Sequence, residues 1–170
     1  MKKLLPDISE VSIYNINYKK LKKDGIKCLA FDLDNTLTDI RGKDAAKQLV
    51  LIEKLKKMGF ECIVLSNNII KSRVKHWGDA LGIDYIYAAR KPRRAVYTRI
   101  LEKYKIKPNE LACIGDQLLT DIWGANKIGA TSILVNPVED RDEVVTLLGR
   151  FIESLVIKSA KKKGIVVRKY

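Results

Sequence analysis

Seven side chains in this sequence could act together on a charged substrate. They are Asp32 and Asp34 in "FDLDNTL", Ser66 and Asn67 in "LSNN", Lys91 in "ARKP", and Asp116 and Asp121 in "GDQLLTD". Asp32 and Asp34 stand two residues apart at the end of an apolar run. Two anions that close are costly to desolvate unless a cation or a proton holds the pair together. A carboxylate-rich set without His or Cys beside it suits a hard, oxygen-seeking cation such as Mg2+. With that cation and a lysine to screen charge, one carboxylate can attack a phosphorus atom. A second carboxylate two residues on can face the same pocket, because alternate residues at a strand end point the same way. It can protonate a leaving oxygen and later take a proton from water.

The elements that must carry these groups are regular. Strand-like runs fall at 28–32, 61–65, 84–87, 111–115 and 131–135, and helical patterns at roughly 43–58, 69–81, 92–105 and 118–128. Several of the helical patterns end in glycine, at Gly59, Gly82 and Gly129. Strands alternating with helices of this length predict an α/β fold, a Rossmann-like, doubly wound parallel sheet of about five strands with helices on both faces. Ligands in such sheets bind beyond the carboxyl ends of the strands, where strand order reverses. Every predicted strand but the last delivers a polar group to that edge.

Length and composition agree with one domain. The 170 residues are 46% hydrophobic and 31% charged, with a formal net charge of +13, which reads as globular rather than disordered. No apolar run approaches a membrane-spanning helix and no export signal follows Met1, so the expected location is the cytoplasm. Cys28, Cys62 and Cys113 each sit in a strand-like run and read as small core residues; no CxxC suggests zinc.

Together "DLDNTL", "LSNN", "ARKP" and "GDQLLTD", in this order and spacing, resemble the haloacid-dehalogenase (HAD) superfamily of phosphotransferases. The closer resemblance is to subclass IIIA and its YqeG-type members, related to the phosphatidylglycerophosphate phosphatases of organelles. It runs from "LLPD" at Leu4–Asp7 to "NPV" at Asn136–Val138. The resemblance implies that Asp32 is the nucleophile forming an aspartyl-phosphate and also a Mg2+ ligand. Asp34 would be the general acid and base, with its backbone carbonyl on the metal. Ser66 would bind phosphoryl oxygens with help from the Asn67 amide, and Lys91 would screen the phosphate. Asp116 would ligate Mg2+, and Asp121 would bind through water or partner Lys91. Ser66 also stands where a helix N-cap would.

Only 28 residues separate Leu37 from Ser66, and 24 separate Ser66 from Lys91. Family members that select small metabolites insert a cap domain at one of these places, so no cap domain is expected and the pocket should be open. An open pocket suits a substrate too large to enclose. Residues 1–27 carry a net +4 and residues 158–170 a net +6, so the termini hold most of the charge. Residues 142–164 pair an amphipathic helix pattern with a lysine run. The expected domain is therefore 1–170, with a basic N-terminal segment and an amphipathic, basic C-terminal helix and tail. The favoured reading is a Mg2+-dependent phosphomonoesterase acting on phosphatidylglycerophosphate, peripheral to the inner face of an anionic membrane. A ribosome- or nucleic-acid-associated protein and a soluble sugar or nucleotide phosphatase are the alternatives, and homo-oligomerisation stays open. The absence of aromatics among the basic residues weighs against nucleic acid.

Overall fold

A computed structural model of the protein describes residues 4–39, 41–42 and 45–138. The amphipathic helix and basic tail expected within 142–170 lie outside the described residues, as do Lys43 and Asp44 at the start of the first helical pattern, 43–58.

Six parallel strands form one sheet: β1 (Ile8–Glu10), β2 (Cys28–Phe31), β3 (Glu61–Leu65), β4 (Asp84–Ile86), β5 (Leu111–Gly115) and β6 (Thr131–Val135). Their order is β1-β6-β5-β2-β3-β4, and each neighbouring pair runs parallel. The two central strands, β2 and β5, are buried along their whole length, which is why "CLAF" and "LACIG" are continuous apolar runs rather than alternating ones.

Helices cover both faces. They are α1 (Tyr18–Lys23), α2 (Ala46–Lys57), α3 (Lys71–Leu81), α4 (Arg94–Tyr104) and α5 (Trp123–Ile128). Side chains of β2 alternate between two cores, as the pleat requires. Leu29 and Phe31 join Leu21 of α1, Ile52 and Leu55 of α2, and Trp77 of α3. Cys28 and Ala30 join Val96, Tyr97 and Ile100 of α4 and Ala125 of α5. Cys28, Cys62 and Cys113 are free and buried, in line with the core reading.

Two elements were not anticipated. β1 is a three-residue edge strand paired to β6, and α1 is a six-residue helix, capped by the Asn17 side chain on the Lys20 N–H at 3.0 Å. Both are too short to show a period in sequence. The expected helix over 118–128 is divided: Leu118–Ile122 is a π-type turn, and α5 follows. The described parts of the β2–β3 and β3–β4 crossovers are a loop and one helix each.

Candidate active site

The chain leaves β2 toward β3 and β4 on one side of the sheet, then returns to β5 on the other. The order reverses between β2 and β5, and the sequence has put an aspartate just past the end of each. Asp32 follows β2 and donates its N–H to the Ile114 carbonyl of β5 at 2.8 Å. Asp116 follows β5. The π-type turn after it brings back a third aspartate: carboxylate oxygens of Asp32, Asp116 and Asp121 all lie within 4.8 Å of one another. Gly115 makes room for this, since a Cβ there would run into the Asp121 carboxylate. The Gln117 N–H donates to Asp121 Oδ2 at 3.2 Å, and Thr36 Oγ1 donates to Asp116 Oδ1 at 3.4 Å.

Lys91 reaches into this group from the loop after β4. Its Nζ donates to Asp32 Oδ1 at 2.6 Å and to Asp121 Oδ1 at 2.5 Å, with only 3% of its side chain exposed. The loop is fixed by Asn67: the Lys91 N–H donates to Asn67 Oδ1 at 2.7 Å, and Asn67 Nδ2 donates to the Lys91 carbonyl at 3.2 Å. The Asn67 carboxamide thus positions Lys91. Ser66 is buried at the end of β3 and accepts the Asn68 N–H at 3.0 Å through Oγ. It does not cap α3, whose N-cap is Ile70.

The electrostatics of the group are unbalanced. Burial pushes the Asp32 carboxyl up to about 6; Lys91 pulls it down, and Asp121 and Asp34 add to the rise. Burial, then Asp32 and Asp121, push Asp116 up to about 8. Burial opposes the charge on Lys91, but Asp121 and Asp32 outweigh it and hold the ammonium above its usual range. Three carboxylates share one lysine, which leaves the site short of positive charge. An all-oxygen donor set lacking countercharge fits a hard divalent cation.

Asp34 stands apart from the three. A tight turn carries it: the Asn35 N–H donates to the Thr38 carbonyl at 2.6 Å, with Asn35 in the left-handed region. Arg73 Nε and Nη2 donate to Asp34 Oδ1 at 2.9 and 2.8 Å, and Asn68 Nδ2 donates to Oδ2 at 2.8 Å. Arg73 Nη2 also donates to the Asp39 carbonyl at 2.8 Å, so one side chain ties α3 to the loop after β2. Arg73 was not singled out from sequence, and Asn68 stood in "LSNN" without a role. A signal was present for Arg73: a cation in the first turn of a helix opposes the helix dipole unless something anionic holds it, and α3 has no acid there.

The structure therefore brings Asp32, Lys91, Asp116 and Asp121 into direct contact or near contact at the switch point. Ser66 and Asn67 flank them at the end of β3, and Asp34 faces Arg73. Such an arrangement offers a carboxylate beside a lysine, a place for a divalent cation and a second carboxylate nearby.

Comparison with known proteins points the same way. A family model described as HAD-hydrolase-like matches residues 88–146. The chain is 37% identical over 161 residues to Probable phosphatase YqeG of Bacillus subtilis (strain 168), covering 94% of this chain and 93% of that protein. It is 26% identical over 178 residues to Phosphatidylglycerophosphate phosphatase 1, chloroplastic/mitochondrial, of Arabidopsis thaliana. That match covers 95% of this chain but 49% of the relative, so the chain spans about half the plant protein's length. Among solved structures, a HAD phosphatase from Thermococcus onnurineus superposes with a TM-score of 0.54 at 16% identity, covering 69% of this chain and 90% of that one. That likeness is one of fold.

Proposed function

Because the chain belongs to the HAD-like phosphatases, in the branch that includes YqeG, and is therefore a phosphoric monoester hydrolase, we propose that it works with Mg2+ through an aspartyl-phosphate on Asp32. The observation that carries this reading is the buried Lys91 bridging Asp32 and Asp121 beside Asp116. Asp32 and Asp116, with the backbone carbonyl of Asp34, would hold the metal, and Asp121 would stay with Lys91. The cation supplies the positive charge this site lacks and draws charge from the phosphoryl oxygens.

In this reading Ser66 Oγ and the backbone N–H of Asn67 bind the phosphoryl oxygens, and Lys91 neutralises them. An oxygen of Asp32 forms a bond to phosphorus as the ester P–O bond breaks. Asp34 gives its proton to the departing alkoxide. Water then attacks the same phosphorus, its proton passes to Asp34, and the acyl-phosphate bond breaks. Inorganic phosphate leaves and the Asp32 carboxylate is restored. The pairing of Asp34 with Arg73 and Asn68 is a resting arrangement in this scheme: it opens when substrate arrives.

The substrate we favour is phosphatidylglycerophosphate, hydrolysed to phosphatidylglycerol at the cytoplasmic surface of a membrane by a single domain over residues 1–170. The similarity to the Arabidopsis enzyme supports it, and so do the short crossovers, which leave a large head group free to enter. Among the described residues no helix is long and apolar enough to cross a membrane. A phosphate-release screen with Mg2+ tests the reading across phosphatidylglycerophosphate, phosphatidate, sugar phosphates and 5′-phosphorylated oligonucleotides. Turnover highest on the lipid is expected; preference for a sugar or nucleotide phosphate would overturn the substrate.

A further inference from the structure

Among the described residues, seven of the eight exposed large apolar side chains follow the carboxyl ends of strands; the eighth, Val50, is on α2. Val11 and Tyr14 follow β1, Ile69 and Ile70 follow β3, Tyr87 follows β4, Leu119 follows β5 and Val138 follows β6. All six strands are parallel, so these residues share the edge that holds Asp32 and Asp116. The loops at the opposite edge are shorter, and among the described residues they expose no large apolar side chain: Ile26 and Phe60 are buried, and Ile83 and Ile106 pack against the cores.

The edges differ in their acids rather than their cations: exposed cations stand at both, with Lys22, Lys27, Lys105 and Lys107 among those at the opposite edge. Among the described residues, the exposed charged side chains in or bordering the carboxyl-edge loops are Arg41, Lys71, Arg90, Arg93 and Arg94, all cations. The exposed carboxylates of the described residues, such as Asp24, Glu61 and Asp79, lie at the opposite edge or on helices. Lys71 Nζ sits 5.6 Å from the centre of the Tyr87 ring, joining the two kinds of group.

Scattered apolar side chains on a surface need no explanation, but a set gathered at one edge, where the exposed charges of the described residues are cations, does. Six strands span about 24 Å at 4.8 Å spacing. The rim residues fall on both sides of the β2–β5 centre. Aliphatic side chains that enter the boundary between head groups and acyl chains, with Lys and Arg on anionic head groups, are the chemistry of interfacial binding. Nucleic acid would call for stacking aromatics, and here Ile, Val and Leu outnumber Tyr.

We propose that the carboxyl edge of the sheet is the surface that seats on an anionic bilayer, with the pocket opening onto the head groups. The proposal rests on the lipid-phosphate reading above and adds where the membrane lies. A phosphomonoester at the membrane surface then meets Asp32 without being extracted.

Two single-tryptophan additions to the full chain test it, Ile69→Trp at the rim and Lys107→Trp at the opposite edge, with unmodified protein as background for Trp77 and Trp123. On vesicles of phosphatidylglycerol carrying brominated acyl chains, the indole introduced at 69 should shift to the blue and lose about half its emission or more, and the one at 107 should not. The double variant Ile69→Glu/Ile70→Glu should bind such vesicles at least about tenfold more weakly in sedimentation. Unquenched emission at 69 while the protein sediments would overturn the proposal, as would equal binding by the double variant. An indole at 69 already blue-shifted without vesicles would also overturn it, showing the rim covered by another part of the chain or by a second copy. The two readings separate cleanly. Quenching at 69 without hydrolysis of phosphatidylglycerophosphate upholds the docking edge and sinks the substrate; hydrolysis without quenching does the reverse.

Discussion

Lys91→Met removes the cation that bridges Asp32 and Asp121 and keeps most of its bulk. The side chains of Lys91, Asp121 and Asp32 are 3%, 4% and 10% exposed, so water does little to screen the charges left behind. Removing one partner of a buried ion pair costs about 3–5 kcal/mol, and Lys91 serves two pairs, which argues for the upper part of that range. Protonation limits the loss. Asp32 and Asp116 are already pushed up to about 6 and about 8, and losing the lysine raises Asp32 further. Carboxyls raised in the native state favour folding while they hold protons and lose that contribution as pH rises through their native values. The deficit should therefore be about 3–5 kcal/mol at pH 8 in EDTA and smaller at pH 5.5. Urea unfolding followed by the fluorescence of buried Trp77 measures it. A variant within about 0.5 kcal/mol of the parent at pH 8 would refute the charge argument, since that is what an ordinary surface substitution does.

Other outcomes follow from the same geometry. Asp34→Asn should slow turnover by roughly 10²–10⁴, the usual loss for an acid/base group, and Arg73→Gln by about 10–10² because it cuts the tie from α3 to the Asp39 carbonyl that holds the loop after β2; steady-state phosphate release measures both, and unchanged kcat in either counts against its role. EDTA should inactivate and Mg2+ restore activity, while Ca2+ should inhibit by letting Asp32 bind through both oxygens; equal rates with either ion would contradict the assignment. Metal-free protein should lose stability as pH rises from about 4 to about 8, because native Asp116 keeps a proton that the unfolded chain releases from 3.8 upward. The slope is at most about 1.4 kcal/mol per pH unit for this group, so Mg2+ should raise Tm more at pH 8 than at pH 5.5. Gly115→Ala should cost about 1–3 kcal/mol and slow turnover by displacing Asp121 from Lys91, read by thermal melts and steady-state phosphate release; a neutral substitution would show that the close approach is not needed.

Much of this site could be read from sequence because its parts come in order along the chain. β2 and β5 are apolar throughout, since both faces are covered, and each ends in an aspartate; a buried run that stops in a carboxylate is visible without a structure. Lys91 was legible through "ARKP", and Asp121 only through the resemblance that "GDQLLTD" carries. The bracing of Asp34 was not. Arg73 reaches from α3 to the loop after β2, and no spacing within either segment announces a contact of that kind. The split of the last helix was hidden too: the apolar pattern over 118–128 suits a continuous helix, but Asp121 folds back against Gly115 through the π-type turn. The rim of apolar residues is assembled one or two at a time from five loops, so it exists only once the strands are parallel and in order.

The central claim is that Asp32 carries the phosphoryl group. Full-length protein with Mg2+ and phosphatidylglycerophosphate in mixed micelles, acid-quenched during turnover and treated with borohydride, tests it directly. Reduction converts an aspartyl-phosphate to homoserine, and peptide mass spectrometry locates the converted residue. Homoserine at position 32, absent in Asp32→Asn and without substrate, is the predicted result. Homoserine at another carboxylate, or phosphate release that continues in Asp32→Asn, would contradict the account.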